Sequence, residues 1–257
     1  MSFFRVIIPA YNNRSTIERA YNSVKNQTFK DYVLVLVDDC SDDGTGDWID
    51  AKNDGEKVIA VHTDAKRWNG GARNFGTDVP VKSEYTIFLD ADDNFISDSV
   101  FKKLHDFIVV NRKPDMVRLP YYRVERNGKR INQTPKVLAE KNICDVAHNC
   151  RVACWTKAVK SSKLQRFPED TLMEDVCQHL MQCDVTKSVA WFPYPVIDWH
   201  IRSSSTSNSH SPKWVESAYR FPYDLYSLQL TRACTRKRRD DKIKESLDNL
   251  RNGRHLQ

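Results

Sequence analysis

An α/β fold built on a mostly parallel sheet, flanked by helices on both faces, is the expectation for this chain, and three observations carry it. Short β-branched runs alternate with stretches of helical period through the first hundred residues. Those runs are apolar throughout instead of alternating, which marks strands covered on both faces. Polar and acidic residues gather just after them, and in open parallel sheets ligands sit outside the carboxyl ends of the strands. The 257 residues, 40% of them apolar, suffice for a sizeable core and argue against disorder.

The expected strands are Phe4–Ile8, Tyr32–Val37, Lys57–His62 and Tyr85–Leu89, each a β-branched or aromatic run. Between and after them, helical spacing covers Ser15–Asn26, Thr45–Lys52, Gly70–Val79 and Ser97–Val110. Past Val110 the rhythm changes. Met116–Val124 is an expected strand, and Asn127-Gly128 is a turn signal leading into a hairpin partner. Helices are expected over Glu140–His148 and Glu174–Cys183, and a proline-interrupted strand over Val189–Ile201. Ser203–Ser211 holds six serines in nine residues, without period, and is expected to be a loop. Helices then follow over Trp214–Ala233, interrupted at Pro222, and over Arg238–Leu250. There is no internal repeat.

Several classes are set aside by composition. The longest aliphatic runs, such as Val33–Val37, fall far short of the ~20 residues that cross a bilayer. Pro9, Asn12 and Asn13 break the N-terminal apolar run, so no secretory leader is expected. Seven cysteines without a C-x-x-C pair lack the usual zinc spacings and point to reduced thiols and a cytoplasmic protein. Net charge is +6, and residues 231–257 carry nine Lys or Arg against four Asp or Glu, so the body is nearly neutral and the tail basic.

Acidic clusters close two of the strands: Asp38-Asp39-Cys40-Ser41-Asp42-Asp43-Gly44 and Asp90-Ala91-Asp92-Asp93. Crowded carboxylates repel one another and resist desolvation, so fold stability alone explains them poorly. They suit a hard divalent cation, or acceptance of hydrogen bonds from ligand hydroxyls and amides. A calcium loop fits badly. Asp90-x-Asp92-x-Asn94 has Phe95 where such a loop needs Gly, and the better-spaced Asp39–Asp50 follows a strand instead of a helix.

Val6-Ile7-Ile8-Pro9-Ala10-Tyr11-Asn12, Ser23-Val24 with Gln27-Thr28-Phe29, Val37–Thr45, Gly70-Gly71-Ala72-Arg73-Asn74, Phe88–Asp93 and Glu174-Asp175 occur in that order. Together, over about residues 3–205, they resemble the family 2 glycosyltransferases, which have the GT-A fold. Cys40 departs from the resemblance, standing where the family usually has Gly or Asn.

The resemblance implies an inverting enzyme that moves a sugar from a UDP-sugar to an acceptor hydroxyl, with Mn²⁺ or Mg²⁺. Residues 1–110 would be the nucleotide-sugar-binding half and 111–212 the half holding the acceptor and the catalytic base. Residues 213–257 would form a helical, basic extension. Asp39 would accept from the uracil N–H, Tyr11 would pack against the base, and the backbone of Pro9, Ala10 and Asn12 would meet its edge. Arg73 would contact base or diphosphate. Asp90-Ala91-Asp92 is the D-x-D segment, with Asp92 the direct metal ligand and Asp90 on ribose or metal. Asp175 would be the general base, with Glu174 orienting it or contacting the acceptor. Inversion by direct displacement needs no enzyme nucleophile, and no G-x-S-x-G occurs.

Further along, Trp155 resembles residues lining the acceptor side. In Trp199-His200-Ile201-Arg202, Arg202 would face phosphate and His200 would add a metal ligand, with the serine-rich loop as a lid. The acceptor would be a glycan, a lipid-linked saccharide or another polymer, met at the inner membrane face. The basic tail leaves three readings open: an anionic membrane surface, a nucleic-acid backbone with a modified base as acceptor, or a solvated helix. A sugar-nucleotide pyrophosphorylase would need a glycine-rich phosphate loop where Pro9-Ala10-Tyr11-Asn12 stands. A non-catalytic binding module is disfavoured by intact Asp90, Asp92 and Asp175, and a dinucleotide-binding oxidoreductase by the lack of G-x-G-x-x-G after the first strand.

Overall fold

The computed structural model describes residues 1–134, 151–169, 173–202 and 212–251, together with 143, 146, 147 and 171. Its strands in chain order are β1 (Ser2–Ala10), β2 (Tyr32–Asp38), β3 (Val58–His62), β4 (Ser83–Phe88), β5 (Asn94–Phe95), β6 (Met116–Arg118), β7 (Tyr121–Val124), β8 (Arg130–Asn132), β9 (Lys157–Lys160), β10 (Val189–Trp191) and β11 (Ile197–His200). Its helices are α1 (Ile17–Lys25), α2 (Thr45–Asp50), α3 (Trp68–Asp78), α4 (Val100–Val110), α5 (Glu174–Val185), α6 (Pro212–Tyr226) and α7 (Ala233–Arg251).

Every residue of β2 is buried, as its unbroken apolar run requires. It lies between β1 and β3, parallel to both, and β4 lies parallel on the far side of β1. Beyond β4, β9 runs antiparallel to both β4 and β6, and β10 closes the edge parallel to β6. The seven-strand order is β10-β6-β9-β4-β1-β2-β3, mixed α/β and mostly parallel, as expected. Strands from residues 1–110 and 111–212 therefore share one sheet. A second sheet, β5-β11-β7-β8, stands beside it.

Two expected strands are each divided. Met116–Val124 breaks at Leu119-Pro120 into β6 and β7, and Val189–Ile201 breaks across Phe192–Val196 into β10 and β11. In both cases one piece joins the large sheet and the other the small one. Proline supplies the break, since it has no N–H for a ladder. β9, four residues starting with a buried lysine, carried no strand signal. Helix α6 ends at Tyr226 instead of Ala233, and α7 begins at Ala233 instead of Arg238. Asp184 of α5 sets that second start: its carboxylate accepts the backbone N–H groups of Thr231 and Arg232 and the hydroxyls of Thr231 and Thr235. The helix expected over Glu140–His148 lies almost wholly outside the described residues, and the loop Ser203–Ser211 lies entirely outside them.

Motif residues without obvious chemistry turn out to be clamps. Gln27, fully buried, donates to the carbonyls of Ser23 and Ser97 and accepts from the N–H of Phe101, tying α1 to α4. Phe29 packs edge-on against Phe3 and Phe4. Cys40, Cys154, Cys177 and Cys183 are reduced, with the Cys183 thiol beside His179 Nε2, whereas Cys234 is disulfide-bonded, which corrects the expectation of seven reduced cysteines. Among the described residues, no helix is long and apolar enough to cross a membrane.

Gly76 lets α3 settle onto β1 and β2: a Cβ there would lie 2.6 Å from Ile7 Cγ2 and 2.8 Å from Val37 Cγ2. Gly76→Val is expected to cost about 1–3 kcal/mol by overpacking. That corresponds to a melting temperature roughly 3–10 °C lower by scanning calorimetry. An unchanged melt would show that α3 can shift outward freely.

Candidate active site

β2, β1 and β4 are parallel neighbours, so the residues following them emerge side by side at the carboxyl end of the sheet. The Ala10 carbonyl accepts the Asp39 N–H at 2.8 Å, and the Leu89 N–H donates to the Ile7 carbonyl at 3.0 Å. Asn12, at φ 52°, locks the turn after β1 onto the loop after β2: its side chain donates to Asp42 and accepts the Asp42 N–H, and its own N–H meets Ser41 Oγ. Cys40 has φ 63°, a left-handed conformation that costs a β-carbon-bearing residue more than Gly or Asn. That backbone demand is the physical content of its departure from the family pattern.

Asp39 is 2% exposed. Its Oδ1 accepts from Thr63 Oγ1 at 3.0 Å and from the Arg67 N–H at 2.8 Å, and its Oδ2 lies 3.4 Å from Lys66 Nζ. Tyr11 projects beside it, 46% exposed, with the Lys66 ammonium over its ring. The calcium-loop alternative fails here, because Asp43 turns to Thr45 and the Arg14 N–H while Asp50 pairs with His62.

One cluster among the described residues has metal-ligand geometry: carboxylate oxygens of Asp90, Asp92 and Asp93 lie within 4.8 Å of one another. Ala91 is buried between the first two. Asp93 is 1% exposed; its Oδ1 accepts the His200 N–H at 2.9 Å, and its buried Oδ2 has no hydrogen-bond partner. Burial, with Asp92 and Asp90 close by, pushes the Asp93 carboxyl well above the usual carboxylate range. Three oxygen donors, one of them orphaned, fit a hard divalent cation such as Mn²⁺ or Mg²⁺. Asp93 was missing from the expected ligand set, and its adjacency to Asp92 was the only available signal. His200 is not brought into the cluster, because its Nε2 lies 2.8 Å from Asn94 Oδ1. Arg202 pairs with Asp92, and Arg19 donates to the Asp92 carbonyl.

Arg73 is held among carboxylates. It is 2% exposed and meets neither base-site residue; Nη2 is 3.0 Å from Asp90 Oδ1, and Nη1 is 2.7 Å from Glu174 Oε1 and 3.6 Å from Asp175 Oδ1. Its planar fork thus joins the D-x-D segment to the start of α5, a geometry that lysine cannot reproduce. Glu174 is 3% exposed, and burial, reinforced by Asp175, pushes its carboxyl up to about 7 against the pull of Arg73. Proximity to a helix N-terminus is outweighed there by desolvation. Asp175 is the more open of the pair, with its side chain 28% exposed.

The α3 motif explains how α5 is brought so close. Asn74 donates to the Phe167 carbonyl and to Glu169, and accepts the Phe167 N–H. At Gly70, a Cβ would lie 2.4 Å from the Pro168 carbonyl oxygen. Trp155 is 2% exposed and lies inside an aromatic stack with Tyr121 and Trp199, so it does not offer an open face to an acceptor. Trp199 is the more accessible ring, and Arg151 lies 4.1 Å over it.

Residues 5–182 match the family model described as Glycosyl transferase family 2. The chain belongs to that family. It is 31% identical over 105 residues to the UDP-Glc:alpha-D-GlcNAc-diphosphoundecaprenol beta-1,3-glucosyltransferase WfaP of Escherichia coli, covering 41% of each chain. It is 34% identical over 100 residues to the putative teichuronic acid biosynthesis glycosyltransferase TuaG of Bacillus subtilis, covering 38% of this chain and 39% of that one. The chain therefore spans about two fifths of the length of these curated relatives. Among solved structures, S. aureus TarS 1–349 in complex with UDP-GlcNAc superposes with a TM-score of 0.73 at 19% identity, covering 95% of this chain and 71% of that one. The mannosyltransferase PcManGT of Pyrobaculum calidifontis, in complex with GDP-Man and Mn²⁺, gives 0.61 at 15% identity, with coverages of 96% and 69%. These likenesses establish the GT-A fold for this family 2 member.

Proposed function

We propose that this chain is a metal-dependent, inverting glycosyltransferase that moves a hexosyl or N-acetylhexosaminyl group from a UDP-sugar to an acceptor hydroxyl of a glycan or lipid-linked saccharide. The observation that carries this reading is the bridge made by Arg73, which holds Asp90 of the D-x-D segment and the Glu174-Asp175 pair on one guanidinium. An acid cluster suited to the diphosphate end of a donor and a carboxylate suited to deprotonating an acceptor are thereby tied to one side chain.

Each residue then has a task. Asp39 accepts the uracil imide N–H, and the exposed ring of Tyr11 packs against the base. Asp92, Asp90 and Asp93 would hold Mn²⁺ or Mg²⁺, which when bound offsets charge on the departing diphosphate. Arg202, beside Asp92, adds positive charge on the same side. Asp175 takes the acceptor hydroxyl proton as the oxygen attacks the anomeric carbon and the bond to the diphosphate breaks. Arg73 and Glu174 orient Asp175 from the buried side. In this reading, residues 1–110 serve the donor, 111–212 the acceptor and base, and 213–257 extend the fold. The acceptor assignment draws on WfaP, whose name specifies a diphosphoundecaprenol-linked sugar. A lipid-linked acceptor would place the chain at the cytoplasmic face of the membrane.

A donor screen reading nucleotide release tests the proposal: UDP freed from one UDP-sugar only when Mn²⁺ or Mg²⁺ is present is the expected result. Release of GDP alone, or equal release in chelator, would overturn the donor or the metal. Asp92→Ala should bind UDP at least roughly tenfold more weakly in Mn²⁺ and lose its response to EDTA, by calorimetric titration. Retained metal-dependent affinity would remove Asp92 from the ligand set.

A further inference from the structure

Asp39 has one oxygen to offer a base. Oδ1 is taken by Thr63 Oγ1 and the Arg67 N–H, so only Oδ2 remains. Lys66 Nζ stands 3.4 Å from that oxygen, and the same ammonium lies over the face of Tyr11, with the Trp68 ring centroid 5.5 Å away. The space between the Tyr11 ring and Asp39 Oδ2, assigned above to uracil, is thus held by a cation of the chain itself.

We propose that Lys66 is a built-in competitor of the nucleobase, so that donor binding exchanges one N–H donor for another at Asp39 Oδ2. The inference rests on the UDP-donor reading above. Its logic is desolvation. The second oxygen of a carboxylate 2% exposed is costly to leave bare, and Lys66 supplies its partner whenever the base is absent. A uracil ring replaces both halves of that contact at once, with its imide N–H on Oδ2 and its face on Tyr11. Burial holds the Lys66 amine below the usual lysine range, so the ammonium regains hydration when it swings out. The exchange lowers donor affinity and in return eases departure of UDP, because Asp39 is never left alone. It also sharpens base choice. Cytosine turns a lone pair, not an N–H, toward Oδ2 and cannot displace the lysine.

Titrations of UDP and CDP against the full chain in Mn²⁺, for wild type, Lys66→Met, Lys66→Gln and Lys66→Arg, test this. Loss of an ion pair and a cation–π contact from the competing state predicts UDP binding roughly five- to thirtyfold tighter in Lys66→Met. Lys66→Gln, which keeps an N–H for Asp39 and so protects the fold, should also bind UDP more tightly. Lys66→Arg should stay within about threefold of wild type, and CDP should gain nothing in any variant. UDP affinity that is unchanged or weaker in both neutral variants, with wild-type UDP binding intact, overturns the exchange alone. A wild type that binds no UDP overturns the donor reading and the exchange with it.

Discussion

Asp175→Asn should fold, melt close to wild type and bind UDP as wild type does, yet lose transfer by about 10²–10⁴-fold in kcat. The expectation follows from how Asp175 is held. Its side chain is 28% exposed and 3.6 Å from Arg73, and its buried Oδ1 accepts no hydrogen bond. Asparagine keeps that shape while removing the lone-pair basicity that an acceptor proton needs. Since the change touches the proton and not the donor, the loss belongs in kcat, with the donor KM nearly unchanged. Equal loss of UDP affinity and turnover would instead show that Asp175 positions the donor, and substantial remaining turnover would end its role as base.

Arg73→Met should be strongly damaging to the fold, lowering stability by about 3–5 kcal/mol, because it leaves the guanidinium's buried partner Glu174 unpaired and strips a cation from the partly exposed Asp90 and Asp175. For a chain of this size, that is a melting temperature roughly 10 °C lower. Glu174 already has its carboxyl pushed up to about 7 with the guanidinium beside it. Without that guanidinium, Glu174 would remain protonated through neutral pH, and Asp90, also raised by burial, would follow in the same direction. Arg73→Lys should recover only part of the loss, since a single ammonium cannot reach both Glu174 and Asp90 in the geometry of the fork. Either variant melting within about 2 °C of wild type would mean that the carboxylates find other partners.

Local pattern revealed the parallel half of the sheet well. Strands β1 to β4 and helices α1 to α4 carry their own signals in apolar runs and spacing, because each is buried on a face that its sequence must declare. Elements after Val110 were blurred. Strands of three or four residues, split between two sheets by Pro120 and by Phe192–Val196, are too short to show a period. The start of α7 was hidden for another reason: its cap, Asp184, sits nearly fifty residues upstream.

The site divides along the same line. Residue order by itself singled out the candidate carboxylates, since Asp39, Asp90, Asp92 and Asp175 stand at strand ends or a helix start where solvation and charge make them conspicuous. Only the packed chain decided what faces what. It turned Arg73 inward to Glu174, buried Trp155 under Trp199, drew Asp93 into the acid cluster, held His200 on Asn94 and set Lys66 against Asp39. Carboxylates at a strand end advertise themselves through local composition. The partner of a buried charge is chosen by desolvation across distances of a hundred residues, and no local pattern encodes that choice.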